Sequence, residues 1–467
     1  MPKSNYPAPK SNSPAASRRR FLAQVAAGAS AVAIRGSWAG GASPIERLRL
    51  AVIGCGNQGK RHLGALANVT GVDVAAVCDV DQRRRSEACE LAAGARGEAD
   101  LRRVLDDPSI DGVVIATPDH WHVPAALLAL AAGKHVYLEK PCSHNFLEGQ
   151  LLVEAVRRSG KVFQHGTQSR SCPGIRRAME LIREGVIGDV LIAKCWNWQR
   201  RADLGHRTPS EPPKHVDYDA WVGPAEWLPY QENRFHYDWH WWFNFGAGGM
   251  GNDGVHELDY SLWGLGVEGL PHTISGNGGI YYFDDDREWP DTQQVTLLYS
   301  APASPPATTD SVEAPRSATQ PHSVGKDRML IYEQRLWSRS YPFNVDAGAE
   351  FYGTTGKMFL SKRGKFEVRD DRNARVDLQL AESVAPRLED HYDNWLASIR
   401  EEDAPHAPIE LAHSIAGAIH LGNISTRLNR TLRFDPDSET IVDDPEATAM
   451  LRRKYRQDGH WAIPAGV

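Results

Sequence analysis

The sequence predicts an α/β fold in which a helix-covered parallel sheet comes first and an α+β domain with an open sheet follows. Two observations support this prediction. Short apolar segments alternate with helix-like segments as far as about residue 169, and isolated strand-like segments follow after that point. Continuous apolar strands separated by helices are typical of a parallel sheet that is buried on both faces. The 467 residues are enough for two domains.

The first predicted domain comprises residues 46–169. Its strands are expected at 48–53, 72–78, 112–116, 136–138 and 162–164, and its helices at 58–69, 123–132 and 146–159. Gly133 and Gly160 follow the last two helices, where glycine commonly ends a helix. The strand at 136–138 runs into Lys140, so this lysine is expected at the carboxyl edge of the sheet, where open α/β sheets bind ligands.

The second predicted domain comprises residues 170–467. A helix at 174–184 precedes a strand at 190–198, segments 293–299, 329–333 and 357–360 indicate antiparallel strands, and a helix is expected at 409–428. Residues 301–327 are rich in Pro, Ser, Thr and Ala and predict a mobile loop. The pattern indicates a helix-backed open sheet, whose C-terminal helix can return to pack on the first domain.

Composition narrows the class of protein. The formal net charge is −6 and no basic run is interleaved with aromatic residues beyond the extreme N-terminus, which argues against a nucleic-acid partner. The six cysteines form no CxxC pair and no zinc-like spacing, so we expect neither a disulfide nor a metal. Eight of the 14 tryptophans lie from Trp196 to Trp263, where they can form a core or a stacking surface for sugars.

The first residues resemble an export signal. Ser17-Arg18-Arg19-Arg20-Phe21-Leu22 leads into a mildly apolar stretch to residue 34, and Ser37-Trp38-Ala39 offers small residues before a cleavage point. This pattern predicts a twin-arginine signal over residues 1–43 and a periplasmic or other extracytoplasmic location. The alternative is a basic tail. The apolar stretch is shorter than the roughly 20 residues that span a bilayer, so no stable membrane insertion is expected.

A glycine-rich loop predicts a dinucleotide site. The loop Gly54-Cys55-Gly56-Asn57-Gln58-Gly59 follows a predicted strand and opens a predicted helix, which is the context that a dinucleotide-binding loop requires. Gly54 permits the tight turn, Gly56 lets the backbone approach the pyrophosphate, and Gly59 lets the helix pack closely. Asp79, at the end of the second strand, would accept hydrogen bonds from both adenosine-ribose hydroxyls. Its charge would repel a 2′-phosphate, so NAD is expected over NADP, although the nearby arginines 83–85 could soften that preference.

Further motifs carry a family resemblance. They are Ala116-Thr117-Pro118-Asp119-His120-Trp121-His122, Ala132-Gly133-Lys134-His135-Val136-Tyr137-Leu138-Glu139-Lys140-Pro141 and Gly248-Gly249-Met250-Gly251-Asn252-Asp253-Gly254-Val255-His256-Glu257-Leu258-Asp259. With the glycine loop, they resemble the glucose–fructose oxidoreductase / inositol dehydrogenase (Gfo/Idh/MocA) family. The resemblance implies a Rossmann domain, an open-sheet domain, an active site between them and assembly as a homo-dimer or homo-tetramer.

The same resemblance implies roles for individual residues. Lys140 would touch substrate and nicotinamide, and His256 would be the acid/base for the carbinol. Glu139 would lie near the nicotinamide ribose, and Thr117, Pro118 and His122 would line the cofactor site. Independently, a histidine has an unperturbed pKa near neutrality and suits removal of a hydroxyl proton. A lysine charge can orient the substrate oxygen and lower the pKa of the alcohol.

One residue departs from the family pattern. Many relatives carry an aspartate four residues before the histidine, and here that position is Asn252. On a helix the spacing places Asn252 on the face of His256. An asparagine can hydrogen-bond a substrate hydroxyl but cannot accept its proton, so Lys140 and His256 would carry the proton chemistry. Asp253 could substitute only if the turn there is not helical.

The substrate side is less specific. Gln168 and Arg170 follow the last strand of the first domain and are expected to face the crevice. Asn197, Arg234, His236 and Trp242 are candidate sugar contacts in the tryptophan-rich region.

Three functions remain open from the sequence. The first is an NAD-dependent oxidoreductase that acts on a secondary hydroxyl of a sugar, glycoside or cyclitol. The second is an NAD-dependent glycosidase or lyase that oxidises the sugar transiently at C3 and eliminates the aglycone. The third is a non-catalytic NAD-bound sugar sensor, which only the loss of the aspartate at Asn252 supports.

Overall fold

The computed structural model describes residues 47–301 and 327–467. The predicted twin-arginine signal at 1–43 lies outside the described residues, as does nearly all of the predicted loop at 301–327.

The first sheet confirms the predicted parallel architecture. Within the described residues it has six strands in the order β3-β2-β1-β4-β5-β6, and every neighbouring pair is parallel. The strands are β1 Leu48–Ile53, β2 Val72–Cys78, β3 Arg96–Glu98, β4 Gly112–Ile115, β5 His135–Leu138 and β6 Phe163–His165. The edge strand β3 has no apolar residue, which is why the sequence did not predict it. Strand order reverses between β1 and β4, and a cleft is expected at such a point.

Helices cover both faces of this sheet. They are α1 Asn57–Leu66, α2 Gln82–Leu91, α3 Leu101–Leu105, α4 Asp119–Ala131 and α5 Phe146–Ser159. The side chains of Asp81, Asp100 and Asn145 accept backbone N–H groups at the starts of α2, α3 and α5, and so cap them. The second helix that the sequence predicted begins at Asp119 rather than 123, because the turn after Pro118 is already helical.

The second domain is built on a mixed sheet. In the part of the chain that the structure describes, nine strands run in the order β13-β12-β11-β7-β10-β9-β8-β14-β15. They are β7 Val190–Asn197, β8 Thr273–Gly279, β9 Thr292–Ser300, β10 Asp327–Arg335, β11 Ala347–Gly353, β12 Gly356–Ser361, β13 Lys365–Asp370, β14 Leu432–Asp435 and β15 Thr440–Ile441. The expectation of purely antiparallel strands was wrong for β10, which is antiparallel to β9 but parallel to β7.

Helices cover one face of the second sheet. The helices in the second half of the chain are α6 Pro173–Arg183, α7 Tyr218–Val222, α8 Val255–Leu265, α9 Leu388–Ile399, α10 Ile409–Leu428 and α11 Pro445–Ala449. Helix α8 packs on β7 and β11, and α10 packs on β8 and β9. In β9, buried residues alternate with partly or fully exposed ones, so the opposite face is more open.

The boundary at residue 169 does not separate two independent cores. Helix α9, which the sequence analysis missed, places Tyr392 and Trp395 in the core of the first sheet. Their ring centroids lie 4.9 Å and 5.8 Å from that of Tyr137. Helix α10 begins in the same domain, because Ile409 belongs to the core beneath the first sheet. The second half of the chain therefore completes the first domain, as the predicted return of a C-terminal helix allows.

Candidate active site

The glycine loop lies between β1 and α1 and fits a pyrophosphate. Gly54 has φ +91°, and a Cβ there would lie 2.6 Å from the carbonyl carbon of Ala116. A Cβ at Gly59 would overlap the carbonyl oxygen of Gly54, and one at Gly56 would approach the Arg84 guanidinium to 3.1 Å. The loop therefore opens the N-terminal end of α1 without side-chain obstruction, and helix N-termini favour phosphates.

Asp79 fixes this loop from the end of β2. Its Oδ2 accepts the N–H of Cys55 at 2.7 Å, and its Oδ1 accepts the N–H of Asp81 at 2.8 Å. Burial raises the pKa of Asp79, and these two hydrogen bonds and the charge of Arg84 oppose that rise. The carboxylate lines the cleft beside the loop. Its predicted contact with an adenosine ribose remains a prediction.

A cleft of about 1130 Å³ runs from this loop along the carboxyl ends of the parallel strands to α8. The structure brings together on its wall most of the residues that the sequence singled out, namely Gly54, Gly56, Asn57, Gln58, Asp79, Thr117, Pro118, His122, Glu139, Lys140, Gln168, His236, Asn252 and His256. Gly59 lies behind the loop, against β1.

Glu139 is held as a buried anion at the end of β5. Its Oε1 accepts the amide of Gln58 at 2.8 Å and lies 2.9 Å from Nε2 of His62. Burial alone would raise the pKa of Glu139, but the hydrogen bond and charge of His62, together with Lys140, lower it to about 2. The hydroxyl of Tyr392 lies 2.6 Å from the other nitrogen of His62. Glu139 thereby ties the glycine loop to the strand end that carries Lys140.

His122 connects the loops that follow β4 and β5. Its Nδ1 lies 2.6 Å from the carbonyl oxygen of Pro141, and its Nε2 lies 3.0 Å from that of Thr117. Burial lowers the pKa of His122. The ring therefore positions the loops after β4 and β5 against each other.

Lys140 meets Asn252 across the cleft. Its Nζ donates to Oδ1 of Asn252 at 3.2 Å and also to the backbone oxygen of that residue. Burial lowers the pKa of Lys140, and the negative charges of Glu139 and Asp119 oppose this. An ammonium has three N–H donors, so one remains for a substrate oxygen.

Asn252 lies on a π-helical turn, Met250–Gly254, that precedes α8. The sequence predicted Asn252 and His256 one regular helical turn apart, and the wider π turn changes that spacing. Neighbouring Asp253, the possible substitute acid, forms an ion pair with Arg201. Arg201 also donates to the Tyr237 hydroxyl at 3.0 Å. Asp253 is therefore engaged as a partner of Arg201.

His256 lies in the first turn of α8 and faces the same cleft. Burial holds the pKa of His256 well below its usual range, and the charges of Lys362 and Lys140 lower it further. The imidazole is consequently neutral near pH 7, as a proton acceptor must be. Lys362, which pairs with Glu257 at 2.9 Å, comes from the turn after β12.

Two predicted substrate contacts are not on the cleft wall. Arg170 is buried, where its Nε donates to Asp259 at 2.8 Å and its guanidinium lies 4.5 Å over the Trp263 ring. Asn197 is buried and donates to Glu257 at 2.9 Å. Both side chains satisfy buried carboxylates of α8, and this need keeps them away from the crevice.

Two further candidates pack against each other instead. The guanidinium of Arg234 lies 4.7 Å over the Trp242 ring and donates to the backbone oxygen of Pro229 at 2.9 Å. Trp242 donates its indole N–H to the backbone oxygen of Asn233 at 3.0 Å. The tryptophan-rich region is thus partly a core. Trp221 and Trp239 of the same region line the cleft, although the sequence did not select them.

The remaining two candidates lie on the cleft. Gln168 lies beside Glu139, with its Nε2 at 3.5 Å from Oε1. His236 has a φ of +55°. Its Nε2 lies 3.1 Å from Asp81, at the end of the cleft near the glycine loop. That contact places His236 nearer the predicted adenosine side than the sugar side.

Several lining residues were missed by sequence reasoning. They include Asp119, Arg201, Tyr237, Trp239, His240 and Lys362. Asp119 lies inside a motif that carried the family resemblance, but nothing in the sequence pairs Lys362 with His256. Among the described residues, no cluster of His, Cys, Asp or Glu could hold a metal ion, and no helix is long and apolar enough to cross a membrane.

The fold and the cleft define a two-domain dinucleotide-binding protein. Residues 48–167 match the Gfo/Idh/MocA oxidoreductase family, NAD-binding Rossmann fold, and residues 179–278 match its C-terminal alpha/beta domain. Two parts of the chain are therefore similar to the two domains of this family of oxidoreductases.

Individual relatives match parts of the chain. Inositol 2-dehydrogenase 2 of Saccharopolyspora erythraea is 30% identical over 223 residues, which are 47% of this chain and 55% of that protein. A glycosyl hydrolase family 109 protein of the same organism is 35% identical over 158 residues, or 31% of this chain and 34% of that protein. The chain thus spans about half or less of the length of these curated relatives.

A solved structure shares the fold. The WlbA dehydrogenase from Chromobactrium violaceum, in complex with NADH and UDP-GlcNAcA, superposes with a TM-score of 0.60 at 19% identity. The superposition covers 84% of this chain and 96% of that one.

Proposed function

We propose that this protein is an NAD-dependent oxidoreductase that acts on a secondary hydroxyl of a sugar, glycoside or cyclitol. The observation that carries the proposal is that Lys140 and the neutral His256 line the cleft that begins at the glycine loop. The similarity to an inositol 2-dehydrogenase and to a dehydrogenase whose structure contains NADH also supports it.

The residues of the cleft suit a bound dinucleotide and an alcohol. The glycine loop would hold the pyrophosphate, and Glu139 with Gln58 would fix the loop beside the reacting end. The nicotinamide ring supplies the hydride acceptor when bound. Lys140 would donate its free N–H to the substrate oxygen, and His256 would accept the hydroxyl proton at a ring nitrogen and pass it to solvent.

The activity test uses a panel of cyclitols, anhydrosugars and hexoses with NAD, followed by the absorbance of the reduced nicotinamide. We expect turnover with at least one compound and its loss in Lys140→Met. Lys194→Met is the matched control, because Lys194 lies on β7, where it pairs with Glu333 away from the cleft. Absence of any redox change while NAD is bound would contradict simple dehydrogenation.

NAD is proposed over NADP because the Asp79 carboxylate lies at the end of β2 beside the loop. Arg84 lies against the same loop, where its positive charge would attract a 2′-phosphate and offset the repulsion by Asp79. We therefore expect a preference for NAD that is moderate, measured as the ratio of the two dissociation constants.

A glycoside-cleaving reaction is the second candidate, and the match to the family 109 glycosyl hydrolase favours it. Such an enzyme would oxidise and later reduce the same sugar, with no net redox change. Release of nitrophenol from a nitrophenyl glycoside without added NAD would support cleavage, and its absence across common sugars would count against it.

We also propose export by the twin-arginine route and assembly as a homo-dimer or homo-tetramer. The motif at Arg18–Arg20 supports export, and the more open face of the second sheet supports assembly. Retention in the cytoplasm after Arg19→Lys and Arg20→Lys would support export, and light scattering would give the mass of the assembly.

A further inference from the structure

A segment near the end of the described chain, residues 453–464, is anchored on the first domain. Arg453 donates to the backbone oxygen of His120 at 2.9 Å and pairs at 2.7 Å with Glu148, which is fully buried. The hydroxyl of Tyr455 donates to the same carboxylate at 2.7 Å. Ala462 is buried in the core beneath the first sheet. We call residues 453–464 the strap.

The strap contacts a second segment, residues 217–224. Its Arg456 pairs with Asp219 at 3.0 Å and donates its backbone N–H to Pro224 at 3.2 Å. The residues before Asp219 in turn hold the end of β2, because Asp217 donates its backbone N–H to Val80 at 3.2 Å. The strap is therefore connected to the end of β2 through residues 217–224.

At this end of the cleft, a stacked pair lines the wall. The guanidinium of Arg102, in α3, lies 4.2 Å over the ring of Trp461, which belongs to the strap. The Nε of Arg102 also donates to Asp100 at 3.0 Å, which fixes the position of the guanidinium. The Trp461 ring lies 5.6 Å from that of Trp121. Trp461 remains 40% exposed, and Asp100, Arg102, Trp121 and Trp461 all line the cleft.

The position of this pair selects its ligand. Lys140 and His256 occupy the part of the cleft at the end of β5, on one side of the glycine loop. The pair lies on the other side, beyond the ends of β2 and β3, so a dinucleotide whose pyrophosphate rests on the loop extends its adenosine toward it. Planar guanidinium and indole surfaces stack on nucleobases.

We propose that the Arg102–Trp461 pair is the adenine-stacking wall of the cofactor site and that the strap slows release of the dinucleotide. The inference rests on the proposed binding of a dinucleotide. Loss of one base–aromatic stack lowers affinity by about 5- to 150-fold, and changes of this kind act mainly on dissociation.

The test measures cofactor release and binding, not turnover. NADH bound to the whole protein is chased with excess NAD, and the loss of energy transfer from tryptophan gives the dissociation rate. We expect release about 10- to 100-fold faster in Trp461→Ala and near the wild-type rate in Trp461→Phe, which keeps an aromatic surface. Trp337→Ala is the matched control, because Trp337 is partly exposed in the second domain and lies outside the cleft wall.

Two fragments separate stacking from a general loss of structure. In Trp461→Ala, the affinity for AMP should fall by the same factor as the affinity for NADH. The affinity for nicotinamide mononucleotide should stay unchanged. The adenine-stacking role of the pair is wrong if Trp461→Ala loses affinity for both fragments equally, or if it releases NADH at the same rate as Trp337→Ala. Either result leaves the proposed function unaffected. A wild-type protein that binds neither NAD nor NADP overturns both.

Discussion

Replacing Asn252 by aspartate should move the pH dependence of the reaction. The new carboxylate would lie about 3.2 Å from Nζ of Lys140, the distance at which Oδ1 now accepts. At an effective dielectric constant of about 20, the attraction is about 5 kcal/mol before the cost of burying the carboxylate. A net rise in the pKa of Lys140 of about 1–3 remains, which is about 1.4–4 kcal/mol.

The sign of the effect follows from the role of each group. Lys140 must be an ammonium to donate to the substrate oxygen, so activity falls at high pH as Lys140 loses its proton. Burial lowers the pKa of Lys140, and Asn252→Asp raises it. The alkaline limb of kcat/KM should therefore shift upward by about 1–3 pH units in the aspartate variant.

The assay is the pH profile of kcat/KM for the wild type, Asn252→Asp and Asn252→Leu with the best substrate of the panel. The leucine variant removes the Oδ1 acceptor without adding charge, so its alkaline limb should stay or move downward. An aspartate variant whose alkaline limb stays in place or moves downward would refute the assignment of that limb to Lys140.

Three further predictions concern stability and cofactor choice. Burial raises the pKa of Asp119 to about 8, above its unfolded value of 3.8, so this group stabilises the fold at low pH and loses that contribution as the pH rises toward 8. Asp119→Asn should therefore reduce the loss of unfolding free energy between pH 4 and pH 8 by up to about 1.4 kcal/mol per pH unit. Urea unfolding at several pH values measures this, and the same pH dependence of the unfolding free energy in both proteins would contradict it. Arg84→Ala should weaken NADP by about 10- to 100-fold and NAD by much less, measured by titration calorimetry. Trp395→Ala should cost about 3–5 kcal/mol in chemical unfolding, because the side chain is fully buried, and a loss below about 1 kcal/mol would be inconsistent with that packing.

The sequence identified the elements that local pattern encodes. Strand β1, the loop from Gly54 and the long helix α10 follow from apolar periodicity and glycine placement, and they are where the sequence predicted them. Helix α9 was missed, because its apolar residues serve a core from a distant part of the chain. The parallel pairing of β10 with β7 was also missed, since pairing direction is a long-range property.

The candidate site divides in the same way. Lys140 and His256 stand in motifs with recognisable neighbours, so the sequence could select them. Arg170 and Asn197 carry polar groups that suit a sugar equally well, and only the structure shows that buried carboxylates of α8 claim them. Lys362 reaches the cleft from a turn that no local pattern connects with His256.

The departure at Asn252 changes charge more than geometry. Lys140 donates both to the side-chain oxygen of Asn252 and to its backbone oxygen, and the π turn presents that carbonyl whatever side chain the position carries. The lysine is thus held in place without a carboxylate, while its ammonium loses one stabilising charge. Burial and the charge of Lys362 lower the pKa of His256, so the imidazole is neutral and has a nitrogen that can accept the hydroxyl proton. The asparagine is therefore compatible with catalysis, and its cost should appear as a lower alkaline limit of activity.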